Sequence, residues 1–193
     1  MKNANFVLKS IYKLFLEDIM DLINLMLKRR SIRKYKNESI PADKIETILQ
    51  AGLLSASSRG RKPWEFIVVK NKDTLQKMSH CRVGSAKMLE GADCAIVVIA
   101  DGDKTDVWVE DCSIAMSNMH LTASALGIGS CWIQGRLREA ENGQPTEDYL
   151  RGLLNYPNNY KLEAVLSLGI AEKEAEPYSI DDILKDKIHY ENF

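Results

Sequence analysis

The sequence is poor in the features that would send a chain to a membrane or an oxidising compartment. No apolar run approaches the roughly 20 residues that span a bilayer. Lys9, Lys13, Glu17 and Asp18 interrupt the apolar residues near the start, which spoils the uncharged centre of a secretory signal. Proline is scarce, 5 in 193 residues, and no low-complexity tract or collagen-like repeat occurs. The four cysteines, Cys81, Cys94, Cys112 and Cys131, form no CxxC and no Cys/His pair at zinc spacing. A reduced, cytoplasmic protein without a metal site is expected. Net charge is nearly absent as well, with 26 Lys plus Arg against 27 Asp plus Glu. That balance argues against coating of nucleic acid or an anionic membrane.

What is present is an ordinary globular composition, 45% apolar and 27% charged, in a length that suits one domain. The even charge hides a local excess. Lys28, Arg29, Arg30, Arg33, Lys34 and Lys36 lie within nine residues that hold no acid. Helical spacing of apolar residues over Phe6 to Met26 predicts one amphipathic helix or two short ones. From Asp21 onward the sequence reads as a complete domain opening, and Met20 could itself be a start. The expected division is therefore a helical extension over residues 1–19 and a domain over residues 20–193.

Along that domain, Pro41 begins a helix that ends near Leu54, and Ser55 to Pro63 is a loop. Trp64 to Val69 and Cys94 to Ala100 are strands, separated by short helices over Asp73 to His80 and Ser85 to Glu90. Asp106 to Leu126 is a long helix, apolar almost all round and ended by Gly127. Ser130 to Ile133 is the next strand, Leu137 to Leu154 reads as helix, turn and helix, and Leu162 to Leu168 is a strand. An extended segment is expected near Ile188 to Tyr190. This order describes an α+β domain around one mixed central β-sheet flanked by helices.

Three segments could carry chemistry. Arg29, Ser31 and Arg33 alternate, so an extended backbone would turn all three to one face, where two guanidinium forks and a hydroxyl could hold a phosphate. A solvated basic edge is the plain alternative. The polar loop with Ser57, Ser58 and Gly60 runs into a buried strand, a place where loops often touch ligands, although it could simply deliver Trp64 to the core. The stretch Gly127 to Gly135 ends a helix in glycine, crosses a strand containing Trp132, Ile133 and Gln134, and turns at Gly135. It follows a helix and precedes a strand, so it is not a dinucleotide fingerprint. No residue presents itself as nucleophile or general acid, and His80, His120 and His189 are scattered, with His120 in the apolar helix.

Taken together, RRSIRKY, the stretch from the paired serines to PWEFIVV, and ALGIGSCWIQG resemble the signature regions of the nitroreductase family, in order, from about Asp21 to the C-terminus. The resemblance implies a nitroreductase-like fold with FMN bound at the interface of a homodimer. It implies that Arg29, Ser31 and Arg33 grip the ribityl phosphate and that Ser57, Ser58 and Gly60 cover the flavin from the other subunit. Many members have Asn where this chain has Gly60. Trp132, Ile133, Gln134 and Gly135 would face the ring, with the backbone N–H of Gln134 near flavin N5. Lys87 matches a lysine placed against the pyrimidine edge, where a cation stabilises reduced flavin, and is otherwise an ordinary helix lysine. Lys187, with His189 beside it, resembles a last basic contact to the phosphate.

Such an enzyme would work by ping-pong, taking hydride from NADH or NADPH and reducing a small planar acceptor such as a nitroaromatic or quinone. The flavin would carry the chemistry, so the site residues are binding residues. The chain is short between Ala100 and Asp111, which leaves little for a lid and implies an accessible cleft. The same scaffold also serves flavin fragmentation and reductive dehalogenation. A non-catalytic module docking Lys28 to Lys36 on a polyanion is the alternative from a different class, marked by a colourless protein and steep salt dependence.

Overall fold

A computed structural model describes residues 22–193. Its contacts divide them into a unit of Arg30–Ala175 and a smaller one made of residues 22–29 with 176–193. The expected extension over residues 1–19 lies outside the described residues, as does the first part of the Phe6 to Met26 helix.

The larger unit contains helices α1 (Ala42–Leu53), α2 (Lys72–Met78), α3 (Trp108–Ala125) and α4 (Thr146–Leu154). Its strands are β1 (Trp64–Val69), β2 (Cys94–Asp101), β3 (Gly129–Gln134) and β4 (Tyr160–Gly169). The strands form one sheet in the order β1-β2-β4-β3. Every ladder in it is antiparallel. The parallel component expected of a mixed sheet is confined to the isolated bridge between Ser31 and Ser130.

Side-chain alternation assigns the two faces. Ile96, Val98 and Leu166 pack with Ile48, Met116 and Met119 under α1 and α3. Val97, Ile99, Leu162 and Val165 pack with Leu75, Met78 and Leu150 under α2 and α4. Strand β2 is therefore covered on both sides, which is why its sequence is a continuous apolar run. Helix α3 lies against the sheet and α1, burying Cys112, Ala115, Met116, Met119 and Ala123 and leaving Ile114 exposed. Gly127 ends it at φ 71°, and Lys44 donates to the Leu126 carbonyl at 2.9 Å, a cation at the negative helix end.

Two expectations change. Residues 137–145 are not helix. Leu137 takes φ 57°, Gly143 takes φ 83°, and Glu139 bridges Pro145, so the chain makes a turn and enters α4 only at Thr146. The helix expected over Ser85 to Glu90 is a 3-10 turn over Lys87–Gly91. The Ile188 backbone is extended but joins no ladder among the described residues.

In the smaller unit, residues 22–28 are helical and the Tyr178 N–H donates to the Leu27 carbonyl at 2.9 Å. Ile180–Asp182 and Lys185–Lys187 are 3-10 turns, and the rings of His189 and Phe193 lie 4.3 Å apart.

Candidate functional site

Strand β3 is the outer strand of the sheet, so one of its edges is open to whatever lies beside it. The basic segment occupies the first part of that edge. The Ile32 N–H donates to the Ser130 carbonyl at 2.9 Å, and further on Lys36 donates to Ile170 and Glu172 to Lys34. These bonds hold residues 31–36 extended, as their alternation requires. Ile32 packs on Gly129, where a Cβ would come within 2.9 Å of its methyl. Tyr35 does the same at Gly169, and its hydroxyl lies 2.8 Å from Ser167 Oγ and donates to the Ile32 carbonyl at 2.8 Å. Ser31 and Arg33 remain exposed. Among the described residues Arg33 makes no ion pair, and its one hydrogen bond, at 3.3 Å, goes to the Ser31 carbonyl.

Among the described residues the rest of the edge stays bare. Gly135 donates its N–H to the Glu163 carbonyl at 3.2 Å, so the alternation of an antiparallel ladder turns the N–H groups of Ile133 and Gly135 toward β4. Those of Trp132 and Gln134 point the other way, out of the sheet. Four residues of strand, about 13 Å, separate the Ser130 bridge from Gln134. The edge thus presents an exposed hydroxyl and guanidinium at one end and a free backbone donor at the other.

The Gln134 side chain is anchored, with Oε1 accepting from Trp132 Nε1 at 2.9 Å. Ile133 is buried on the α2/α4 face, so only its backbone belongs to the edge. Gly135 is needed for packing: a Cβ there would lie 2.5 Å from Leu162 Cδ2.

The loop before β1 is held by a residue that sequence reading missed. Asp111, buried in the first turn of α3, accepts the Ser58 N–H through Oδ1 at 2.7 Å. Ser57 Oγ accepts from the Lys62 N–H at 2.9 Å. Arg59, Gly60 and Lys62 all take positive φ, so the loop doubles back tightly between these two bonds. Nothing lies within 4 Å of a Cβ built on Gly60, whose φ of 66° is one that Asn also tolerates.

Glu163 is a second missed residue. The β2–β4 register slips between Val98 and Ile99, leaving Glu163 without an opposite partner and turning its side chain toward α3. Ser113 donates to Oε1 at 3.3 Å, while Oε2 is buried with no partner among the described residues. Burial raises the Glu163 pKa above the usual carboxylate value, against the lowering effects of Ser113 and Arg136. Its carbonyl accepts from both Gly135 and Arg136, so it also fixes the turn after β3. The visible signal was a lone acid inside the apolar run of β4.

Lys87 is exposed, with Nζ 3.3 Å from Glu90 and 4.0 Å from Glu141. Arg29 and Lys187 belong to the smaller unit, the first closing the 22–28 helix by an N–H to the Leu25 carbonyl, the second in an exposed turn. His120 is a core residue, its Nδ1 2.6 Å from Ser130 Oγ. All four cysteines are free and buried, and burial pushes the thiols of Cys81, Cys94 and Cys112 up to about 12. Thiolate chemistry is thereby disfavoured at those three. Among the described residues no group of His, Cys, Asp and Glu could hold a metal, and no helix is long and apolar enough to cross a membrane.

Fold and site together describe an α+β protein with an anion-ready, donor-bearing strand edge. The family model for the nitroreductase family matches residues 26–81 and 75–170. The chain is 39% identical over 178 residues to an Archaeoglobus fulgidus protein provisionally named an NADH dehydrogenase/NAD(P)H nitroreductase, covering 90% of this chain and 99% of that one. A similarly named protein of Methanothermobacter thermautotrophicus is 33% identical over 180 residues, 90% of this chain and 88% of the other. The solved structure of an FMN-dependent nitroreductase from Clostridium difficile superimposes with a TM-score of 0.85 at 44% identity, covering 89% of this chain and 99% of that one. The chain belongs to the nitroreductase family.

Proposed function

We propose that this protein is an FMN-dependent NAD(P)H oxidoreductase that reduces a small planar acceptor such as a nitroaromatic or quinone by a ping-pong cycle. The observation that carries this reading is the β3 edge, where Ser31 and Arg33 stand at one end and the outward N–H of Gln134 at the other. The group fits these residues. A phosphate would take the guanidinium of Arg33 and the hydroxyl of Ser31, and a flat ring with an acceptor nitrogen would lie along a strand edge that still has a donor to give.

When bound, FMN supplies the hydride acceptor and donor, moving two electrons from reduced nicotinamide to the second reactant. The chain's part is to bind and orient. Gln134 offers its N–H from a backbone fixed on the opposite side by Ile133 and Gly135. Trp132 holds the Gln134 side chain in place, and the Ser57–Gly60 loop, tied to Asp111, would cover the flavin of the partner subunit. Lys87, on a flexible four-carbon stem, would add positive charge near the ring's pyrimidine edge, where it stabilises the reduced form. A homodimer is part of the proposal, supported by the exposed apolar side chains of Leu53 and Ile114 on adjoining helices α1 and α3 and of Leu54 just past α1.

Purified protein should be yellow and contain about one FMN per chain, and NADH or NADPH should bleach it without oxygen. Arg33→Ala should lose FMN and keep the fold by circular dichroism, whereas Lys34→Ala should keep both. A colourless wild type that takes up no added FMN defeats the proposal.

A further inference from the structure

The turn that follows β3 opens on a cleft of about 320 Å3 whose walls include Trp108, Gly135, Arg136, Arg138, Glu147 and Lys161. That size lies at the lower end of the range for small-molecule sites. Gly135 in its wall adjoins Gln134, so the cleft lies at the C-terminal end of β3.

The charges around it are unevenly matched. Glu147 is taken up by Arg151 at 2.7 Å, by the Leu162 N–H at 2.8 Å and by Lys161 at 3.8 Å. Asp148 is also paired with Arg151. Arg136 and Arg138 form no ion pair among the described residues. Arg136 lies 5.8 Å from the centre of the Trp108 ring, a cation resting on an aromatic face. Arg138 spends one N–H on the Leu137 carbonyl at 2.8 Å. The positive φ of Leu137, between them, bends the turn without help from glycine. Glu163, behind the turn, feels the charge of Arg136 but forms no ion pair with it. Two guanidinium forks therefore stand at the cleft with donors to spare, a set that matches the paired oxygens of a carboxylate or phosphate.

We propose that Arg136 and Arg138, over the floor made by Trp108, bind the anionic oxygens of the reactant stacked at the end of β3. This deepens the flavoenzyme reading and rests on it. The oxygens belong either to a carboxylate on the acceptor or to a phosphate of the nicotinamide nucleotide.

The experiment compares FMN-loaded wild type with Arg136→Gln, Arg138→Gln and the double variant. FMN content is read first from the visible spectrum. Calorimetric titration then uses four probes: 4-nitrobenzoate, nitrobenzene, NADP+ and NAD+. A carboxylate site gives wild type at least tenfold tighter binding of 4-nitrobenzoate than of nitrobenzene, and the double variant erases that margin. A phosphate site shows instead as a tenfold or larger loss of nucleotide affinity in the double variant. If only NADP+ suffers, the 2′-phosphate is the group held; if NAD+ suffers equally, it is the pyrophosphate. Arg136→Lys and Arg138→Lys, which keep the charge but lose the fork, should fall between. Full FMN content with all four affinities within twofold of wild type in the double variant overturns the cleft proposal. Wild type without flavin overturns the underlying reading instead.

Discussion

Asp111, in the first turn of α3, accepts the backbone N–H of Ser58 at 2.7 Å and so ties the loop before β1 to the longest helix. A bond to an ionised acceptor contributes about 1.5–3 kcal/mol. Asp111→Ala should lower stability by roughly that amount, read as the urea midpoint at unchanged m-value. It should also make the loop cleavable by trypsin at Arg59 and Arg61. Asp111→Asn, which keeps an acceptor oxygen, should lose less on both measures.

Two glycines respond in opposite ways to a side chain. At Gly169 a Cβ would lie 2.5 Å from the Tyr35 ring, so Gly169→Ala should cost about 1–3 kcal/mol as an overpacked core does. At Gly60 the space is open and the backbone already left-handed, so Gly60→Asn should change stability by less than about 1 kcal/mol. Chemical denaturation of both variants decides the point. A costly Gly60→Asn would mean that the loop is packed against something else.

Glu163 makes stability depend on pH. Its pKa is raised in the folded chain, so the folded state holds this proton when the unfolded state has released it. The carboxyl's favourable contribution is complete below the unfolded value, about 4.3, and is lost as pH rises through the higher folded value. Glu163→Gln keeps an acceptor for Ser113 and removes this titration. The variant should therefore gain on wild type as pH goes from 4 to 7.5, measured by urea midpoints at both ends. A variant that loses ground to wild type as pH rises would contradict the assignment.

Lys87 offers a test of the flavin environment. With Lys87 at the flavin as proposed, removing its charge should lower the midpoint potential, so Lys87→Met should shift it negative by about 30 mV, equivalent to about 1.4 kcal/mol for a two-electron couple. The measurement is an anaerobic redox titration of the bound flavin. An unchanged potential with full flavin would assign Lys87 to its carboxylate neighbours Glu90 and Glu141 alone.

The strands were legible because β-branched runs such as those of β1 and β2 admit few other readings, and α3 because its length and apolar girth do. Residues 137–145 misled because their charged composition suits a helix, while the bend comes from one leucine at positive φ that no propensity foretells. The β3 edge and the loop before β1 could be read from motif and alternation, but the acids that hold the loop and the turn after β3 could not. An acid in the first turn of a helix, such as Asp111, ordinarily serves the helix dipole, and its bond to Ser58 spans 53 residues. The direction of Glu163 depends on a slip in pairing with β2 that exists only once the sheet has formed.

The order β1-β2-β4-β3 sets a timetable for the newborn chain. The inner strand that joins both halves of the sheet is the last to leave the ribosome. At roughly 5–20 residues per second, the stretch from Asp101 to Tyr160 takes several seconds to appear, and throughout that delay β2 waits with one side unzipped. Premature termination before Tyr160 would leave that greasy ribbon open to neighbouring polypeptides, so quality control has most to do with the C-terminal third.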